Sequence, residues 1–181
     1  MNLFILRHAS AGIRRANPLL DVKRPLDKEG KQHCLQLSHV LNALKINFDL
    51  VVSSPLKRCL QTAQLVATET GYEAKIVYSD ALAPDATFAD FQRLLSEANG
   101  RENLLVVGHN PNLQLFIGSL LTSNRVAPEV PVVQVRLRKG SMARLSVTRG
   151  PATLLGLTDP RTIRALYATS TKSSRRKTSR K

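Results

Sequence analysis

Three short apolar runs punctuate the first two thirds of the chain, and each stops abruptly at polar or basic residues. Asn2-Leu3-Phe4-Ile5-Leu6 gives way to Arg7-His8-Ala9-Ser10-Ala11-Gly12, and Leu50-Val51-Val52 to Ser53-Ser54-Pro55-Leu56-Lys57-Arg58. Leu104-Leu105-Val106-Val107 gives way to Gly108-His109-Asn110-Pro111. Runs this short, apolar without alternation, have the pattern of strands buried on both faces. Between them the period changes. Cys34, Leu37, Leu41 and Leu44 recur at helical spacing behind an N-capping Asp27, which predicts an amphipathic helix over 28–45. Leu56, Leu60, Ala63 and Ala67 line a second helix, with Ser53 or Ser54 as cap and Pro55 at its first position. Lys75-Ile76-Val77-Tyr78 predicts a further strand. Phe88, Phe91, Leu94 and Leu95, and then Leu113, Phe116, Ile117 and Leu120, give the apolar faces of two more helices.

Beyond that point the pattern alternates. Val133, Val135 and Leu137 interleave with Gln134, Arg136 and Arg138, and turns fall at Lys139-Gly140-Ser141 and Arg149-Gly150-Pro151 around Met142–Val147. Such alternation predicts antiparallel strands with one wet face. A short last helix is expected from Asp159-Pro160 to about Tyr167. Strands that alternate with helices predict an α/β fold with a mostly parallel central sheet and antiparallel C-terminal strands. In such sheets ligands lie outside the carboxyl ends of the strands. Arg7, His8, Arg58 and His109 are therefore expected around one pocket. The loop 10–25, carrying Arg14, Arg15, Lys23 and Arg24, is placed to fold over that pocket as a rim or lid.

Composition narrows the partners. The chain has 181 residues, 27 of them Lys or Arg against 13 Asp or Glu, for a net charge of +14. An anionic partner is expected. Everything from Lys172 onward is basic or hydroxylic, so a disordered tail is predicted at 169–181, following one domain at 1–168. Aromatic residues make up 4% and tryptophan is absent, which leaves no platform for stacking bases; nucleic acid could be held only through the tail. The cysteines Cys34 and Cys59 lie in predicted helices without metal-ligand spacing, as in a reduced, cytoplasmic protein. No segment approaches the roughly twenty apolar residues of a membrane span. His33 and His39 flank the first helix stripe and are expected at its surface or boundary.

The chemistry expected of the clustered residues is phosphoryl transfer. A neutral imidazole at His8 can attack phosphorus and hold it as a phosphoramidate, and neighbouring arginines depress a histidine's pKa. Arg7 and Arg58 would clamp phosphoryl oxygens and His109 would donate a further hydrogen bond. Positive charge and positioning supply most of the rate in such reactions, and no metal or other cofactor is demanded. Lys57 and Arg58 in the first turn of a helix oppose its dipole, a violation that a bound anion would reverse.

Leu6-Arg7-His8-Ala9, Ser53-Ser54-Pro55-Leu56-Lys57-Arg58-Cys59-Leu60-Gln61-Thr62-Ala63 and Val107-Gly108-His109-Asn110-Pro111 resemble, in this order, the motifs of the histidine phosphatase superfamily. Asp21-Val22-Lys23-Arg24-Pro25-Leu26 and Ala81-Leu82-Ala83-Pro84 resemble its SixA-type phosphohistidine phosphatases. The resemblance implies a three-layer α/β/α sandwich of the phosphoglycerate mutase type, with His8 as the phosphorylated nucleophile. Arg7, Arg58 and His109 would form the phosphate pocket, with Arg24 as a substrate contact at the rim. Two positions depart from the pattern. Ala9 replaces the usual glycine, and Ala81 stands where many members carry a glutamate proton donor, leaving Asp21, Asp80 and Asp85 as stand-ins. A leaving imidazole needs little protonation, so phosphohistidine on a protein is the expected substrate. A small phosphometabolite or polyphosphate, or a non-catalytic basic module that binds anions or nucleic acid, are the alternatives. A monomer is expected.

Overall fold

In the computed structural model, residues 1–122 and 133–168 are described; the predicted basic tail at 169–181 lies outside them. The elements are β1 (Asn2–Arg7), α1 (Pro18–Val22), α2 (Lys28–Ala43), β2 (Leu50–Ser53), α3 (Lys57–Glu69), β3 (Val77–Tyr78), α4 (Phe88–Glu97), β4 (Asn103–Gly108), α5 (Asn112–Thr122), β5 (Met142–Ser146) and β6 (Thr153–Thr158). A final helix, α6, spans 160–168. The strands form one sheet in the order β3-β2-β4-β1-β5-β6, parallel through the first four and antiparallel at β5 and β6.

The pleat explains why the strand sequences are apolar throughout. Alternate side chains of a strand leave opposite faces of the sheet. Phe4 and Leu6 join Val51, Leu105 and Val107 beneath α2 and α3, whose Leu37, Leu41, Ala63 and Val66 cover that face. Leu3 and Ile5 join Val52, Leu104 and Val106 beneath α4 and α5, covered by Phe91, Leu94, Phe116 and Ile117. Both faces are dry, and the result is the three-layer α/β/α sandwich of the phosphoglycerate mutase type. Leu41 is fully buried, so truncating it to alanine would cost about 2–5 kcal/mol.

Several predicted elements shift, each for a local reason. The first long helix stops at Ala43 because Lys45 turns left-handed (φ 53°), its amide and that of Ile46 closing on the Asn42 and Leu41 carbonyls; Leu44, counted into the stripe, points to solvent. α3 begins at Lys57 with Leu56 at the cap and no side-chain cap bond, not at Pro55. The Ser54 hydroxyl is instead 2.9 Å from His109 Nε2. The third strand shrinks to Val77–Tyr78, an exposed edge. The alternating segment 133–138 is not a strand. Val135 and Leu137 are buried as the pattern implies, but their carbonyls accept from the Gln114, Arg7 and Asn110 side chains rather than from a neighbouring strand.

His33 is a correction too. It is buried, with Nε2 3.0 Å from the Gly140 carbonyl. Gly140 adopts φ +81°, and a Cβ there would fall 2.3 Å from the His33 ring. Only glycine lets the turn settle onto this histidine. His39, by contrast, is exposed, its Nδ1 3.0 Å from the Tyr167 hydroxyl.

Candidate active site

β2, β4 and β1 are neighbours in the sheet, so their carboxyl ends deliver Ser54, His109 and His8 to one rim. Arg58 rises from the first turn of α3 to meet them. His8, Arg58 and His109 are only 6%, 6% and 4% exposed. The two imidazole rings lie 5.2 Å apart between centroids, and Arg58 Nη2 is 3.3 Å from His109 Nδ1. Arg7 follows the same strand end, its Nη1 donating to the Leu137 carbonyl at 2.9 Å.

Short-range bonds lock this arrangement. The His8 amide donates to the Gly108 carbonyl at 3.1 Å, joining the first and third motifs. The Ala9 amide donates to Thr62 Oγ1, which donates in turn to the Arg58 carbonyl, joining the first motif to α3. Ala9 keeps a negative φ, so its methyl group costs nothing there. Asp27 caps α2 through Gly30 and also holds Ser10 Oγ at 2.7 Å and the Gly12 amide at 2.8 Å, pinning the loop that leaves β1. Thr62 and Asp27 are scaffold residues of the site. Thr62, one helical turn beyond Arg58 on the same face, could have been found from that spacing.

The hydrogen bonds assign the His8 tautomer. Its Nδ1 lies 2.8 Å from the Ala9 carbonyl, which can only accept, so the proton sits on Nδ1 and Nε2 presents a lone pair. Burial, and then the cations Arg58, Arg7 and Lys139, push the His8 pKa down to about 3. The expected arginine effect is thus present but second to desolvation. His109 is likewise held neutral, at about 3, by burial first and then by His8 and Arg58. Its Nδ1 accepts from Arg58, which places its proton on Nε2, facing Ser54. Cys59 Sγ is 3.2 Å from His109 Nε2, but burial pushes that thiol up to about 12. Burial thus keeps Cys59 a protonated, unreactive thiol.

The cations are under-satisfied. Arg7 Nε and Arg58 Nε are buried and have no partner among the described residues. Buried unpaired donors on charged groups are costly, and an anion entering the pocket would relieve that cost. One carboxylate is already close. Asp21 Oδ2 lies 3.3 Å from Arg58 Nη1, and its Oδ1 accepts from Arg24 Nε at 2.8 Å. Arg24 also donates to the Ala11 and Gly12 carbonyls, so it braces the 10–25 loop. Hydrogen bonding from Arg24 holds the Asp21 pKa at about 2. In this arrangement Asp21 is a carboxylate and not an acid. Asp80 and Asp85 line a separate surface cavity with Asp90, Arg93 and Glu97. Among the described residues no His, Cys, Asp and Glu cluster could hold a metal ion, and no helix is long and apolar enough to cross a membrane.

Residues 3–83 match the family model of the histidine phosphatase superfamily, branch 1. An uncharacterized protein of Picosynechococcus sp. (strain PCC 7002) is 34% identical over 116 residues, which cover 62% of this chain and 68% of that protein. The chain belongs to the histidine phosphatase superfamily. A broad-specificity phosphatase of Saccharomyces cerevisiae is 36% identical over 74 residues, covering 40% of this chain and 32% of that one. The fold superimposes on the protein histidine phosphatase SixA in complex with tungstate with a TM-score of 0.73 at 21% identity, covering 90% of this chain and 99% of the other. Membership in this superfamily supports a phosphatase.

Proposed function

We propose that this chain is a metal-independent phosphatase that works through a phosphohistidine on His8 and takes phosphohistidine on proteins as its substrate. The observation that carries the reading is the convergence of a neutral, Nδ1-protonated His8 with Arg7, Arg58 and His109 around unpartnered cationic donors. His8 Nε2 attacks phosphorus, the P–N bond to the substrate imidazole breaks, that ring leaving as neutral imidazole because its other nitrogen carries a proton, and a P–Nε2 bond forms. Arg7 and Arg58 hold the phosphoryl oxygens as their charge develops. His109 Nδ1 accepts from Arg58 and so positions that guanidinium against the phosphoryl group. Water then attacks the phosphohistidine and releases phosphate.

A protein substrate is favoured by the surface beside Asp21. Ile13 and Leu20 line one cavity there and are 88% and 58% exposed, and α1 buries none of its residues. Exposed apolar residues in a group mark surfaces that meet another protein. The yeast relative is named a broad-specificity phosphatase, which supports a small phosphometabolite or polyphosphate as the second reading. The test is a brief exposure to a labelled phosphodonor followed by quenching. An acid-labile, base-stable label lost in His8→Ala is expected; label that persists in His8→Ala overturns the mechanism. Side-by-side kcat/KM values for a phosphohistidine peptide, polyphosphate and a sugar phosphate decide the substrate.

A further inference from the structure

A groove of about 390 Å³ runs from the end of β1 across the 138–140 turn to the start of α6. Its lining includes Arg7, Arg138, Lys139, Arg161 and Arg164, against Glu29 as the one lining acid among the described residues. Arg7 lines this groove and is among the cations that lower the His8 pKa, so the groove adjoins the phosphoryl pocket. Lys139 is near enough to His8 to help hold that ring neutral. The groove is distinct from the cavity beneath the 10–25 loop, which Arg15, Leu20 and Arg24 line.

The cations of this groove are arranged for carboxylates spread along a chain rather than for one compact anion. They come from three segments of the fold, and two already hold carboxylates. Arg138 pairs with Asp159 at 2.6 Å, and Arg164 pairs with Glu29. The second pair is 58% and 61% exposed, and an exposed pair of this kind exchanges partners at little cost. Lys139 and Arg161 carry no ion pair among the described residues. A phosphohistidine enclosed between Arg7 and Arg58 leaves these groups free for whatever flanks it.

We propose that this groove receives an acidic stretch of the phosphoprotein substrate, its carboxylates pairing with Lys139, Arg161 and Arg164. The identity of the substrate rests on the phosphohistidine reading above, whereas the groove's preference for an acidic chain can be measured without turnover. The probe is a fluorescein-labelled hexaglutamate peptide titrated by anisotropy at low ionic strength against the full chain. It is compared with Arg161→Glu/Arg164→Glu and with Lys75→Glu/Arg101→Glu, which changes net charge equally at exposed positions preceding β3 and β4.

Each reversal replaces an attraction with a repulsion, so the groove variant is expected to bind about tenfold more weakly. The control pair is expected to change affinity by no more than about twofold, and salt to weaken binding in all forms. Equal losses in both variants would mean that net charge alone attracts the peptide, overturning the proposal. So would a groove variant that binds like the wild type. Tripolyphosphate displacing the peptide from the wild type at hundredfold lower concentration than the peptide's own Kd would overturn it too, in favour of condensed phosphate. Two phosphohistidine peptides, flanked by Glu or by Gln, then link groove to catalysis. The kcat/KM preference for the Glu peptide is expected to fall towards one in the groove variant. If neither peptide is hydrolysed while a sugar phosphate is, the phosphohistidine reading fails and the anisotropy result still judges the groove.

Discussion

Asp21 occupies the position of a competitor for the phosphate. Its carboxylate sits 3.3 Å from Arg58 Nη1 and 2.8 Å from Arg24 Nε, and its side chain is 15% exposed. An incoming phosphoryl group must share Arg58 with it or displace it. Asp21→Asn removes the charge while keeping the shape and an oxygen that accepts from Arg15 and Arg24. For an anion roughly 6 Å from the carboxylate, the repulsion removed is about 0.7 kcal/mol per unit charge in bulk water and about 3 kcal/mol at an effective dielectric of 20. A partly exposed site belongs in the lower half of that range, so each unit of phosphate charge should bring about 3- to 25-fold tighter binding of orthophosphate to the variant. Titration calorimetry at two salt concentrations measures this, and the gain should shrink at the higher one. Equal or weaker phosphate affinity would refute the competition. A kcat loss of about 10²-fold or more would instead make Asp21 the proton donor, against its depressed pKa.

Acidification should destabilise the protein. His8 and His109 are held near 3, whereas an unfolded histidine titrates at about 6.5, so below that value the unfolded chain binds more protons. The denaturant midpoint should fall steadily from about pH 6.5 to pH 3, and phosphate should resist that fall by favouring the protonated rings. Ser54→Ala should leave His109 Nε2 without its 2.9 Å partner, lowering stability by about 1–3 kcal/mol and lowering kcat, both measured on the purified variant. In Gly30→Ala the new Cβ would lie 2.1 Å from the Ser10 carbonyl oxygen, a backbone atom that cannot rotate away. A loss of about 1–3 kcal/mol is expected in chemical denaturation, together with reduced activity, because Ser10 follows His8 closely.

The strand and helix periods were legible because burial on two faces of a sheet, or on one stripe of a helix, writes itself directly into the residue pattern. Phe4 and Leu6 facing one helical layer and Leu3 and Ile5 the other needed no coordinates to anticipate. The same pattern, with the rule that sites lie at strand carboxyl ends, brought His8, Arg58 and His109 together in advance. It failed where a polar group had two local uses. Ser54 caps well in isolation but is taken by His109, fifty-five positions away. Val133–Arg138 alternates like a strand, yet its carbonyls bond to side chains.

His33 illustrates the same limit. Nothing around it marks it as buried, because the Gly140 turn that covers it comes from another part of the chain. Local sequence therefore determined which residues pair by period and which motifs end the strands. Only the tertiary structure decided which atom each polar group faces, and with it the tautomer of His8, the neutrality of both rings and the carboxylate set against Arg58. Those depend on desolvation and on contacts between distant segments, which no single stretch of sequence carries.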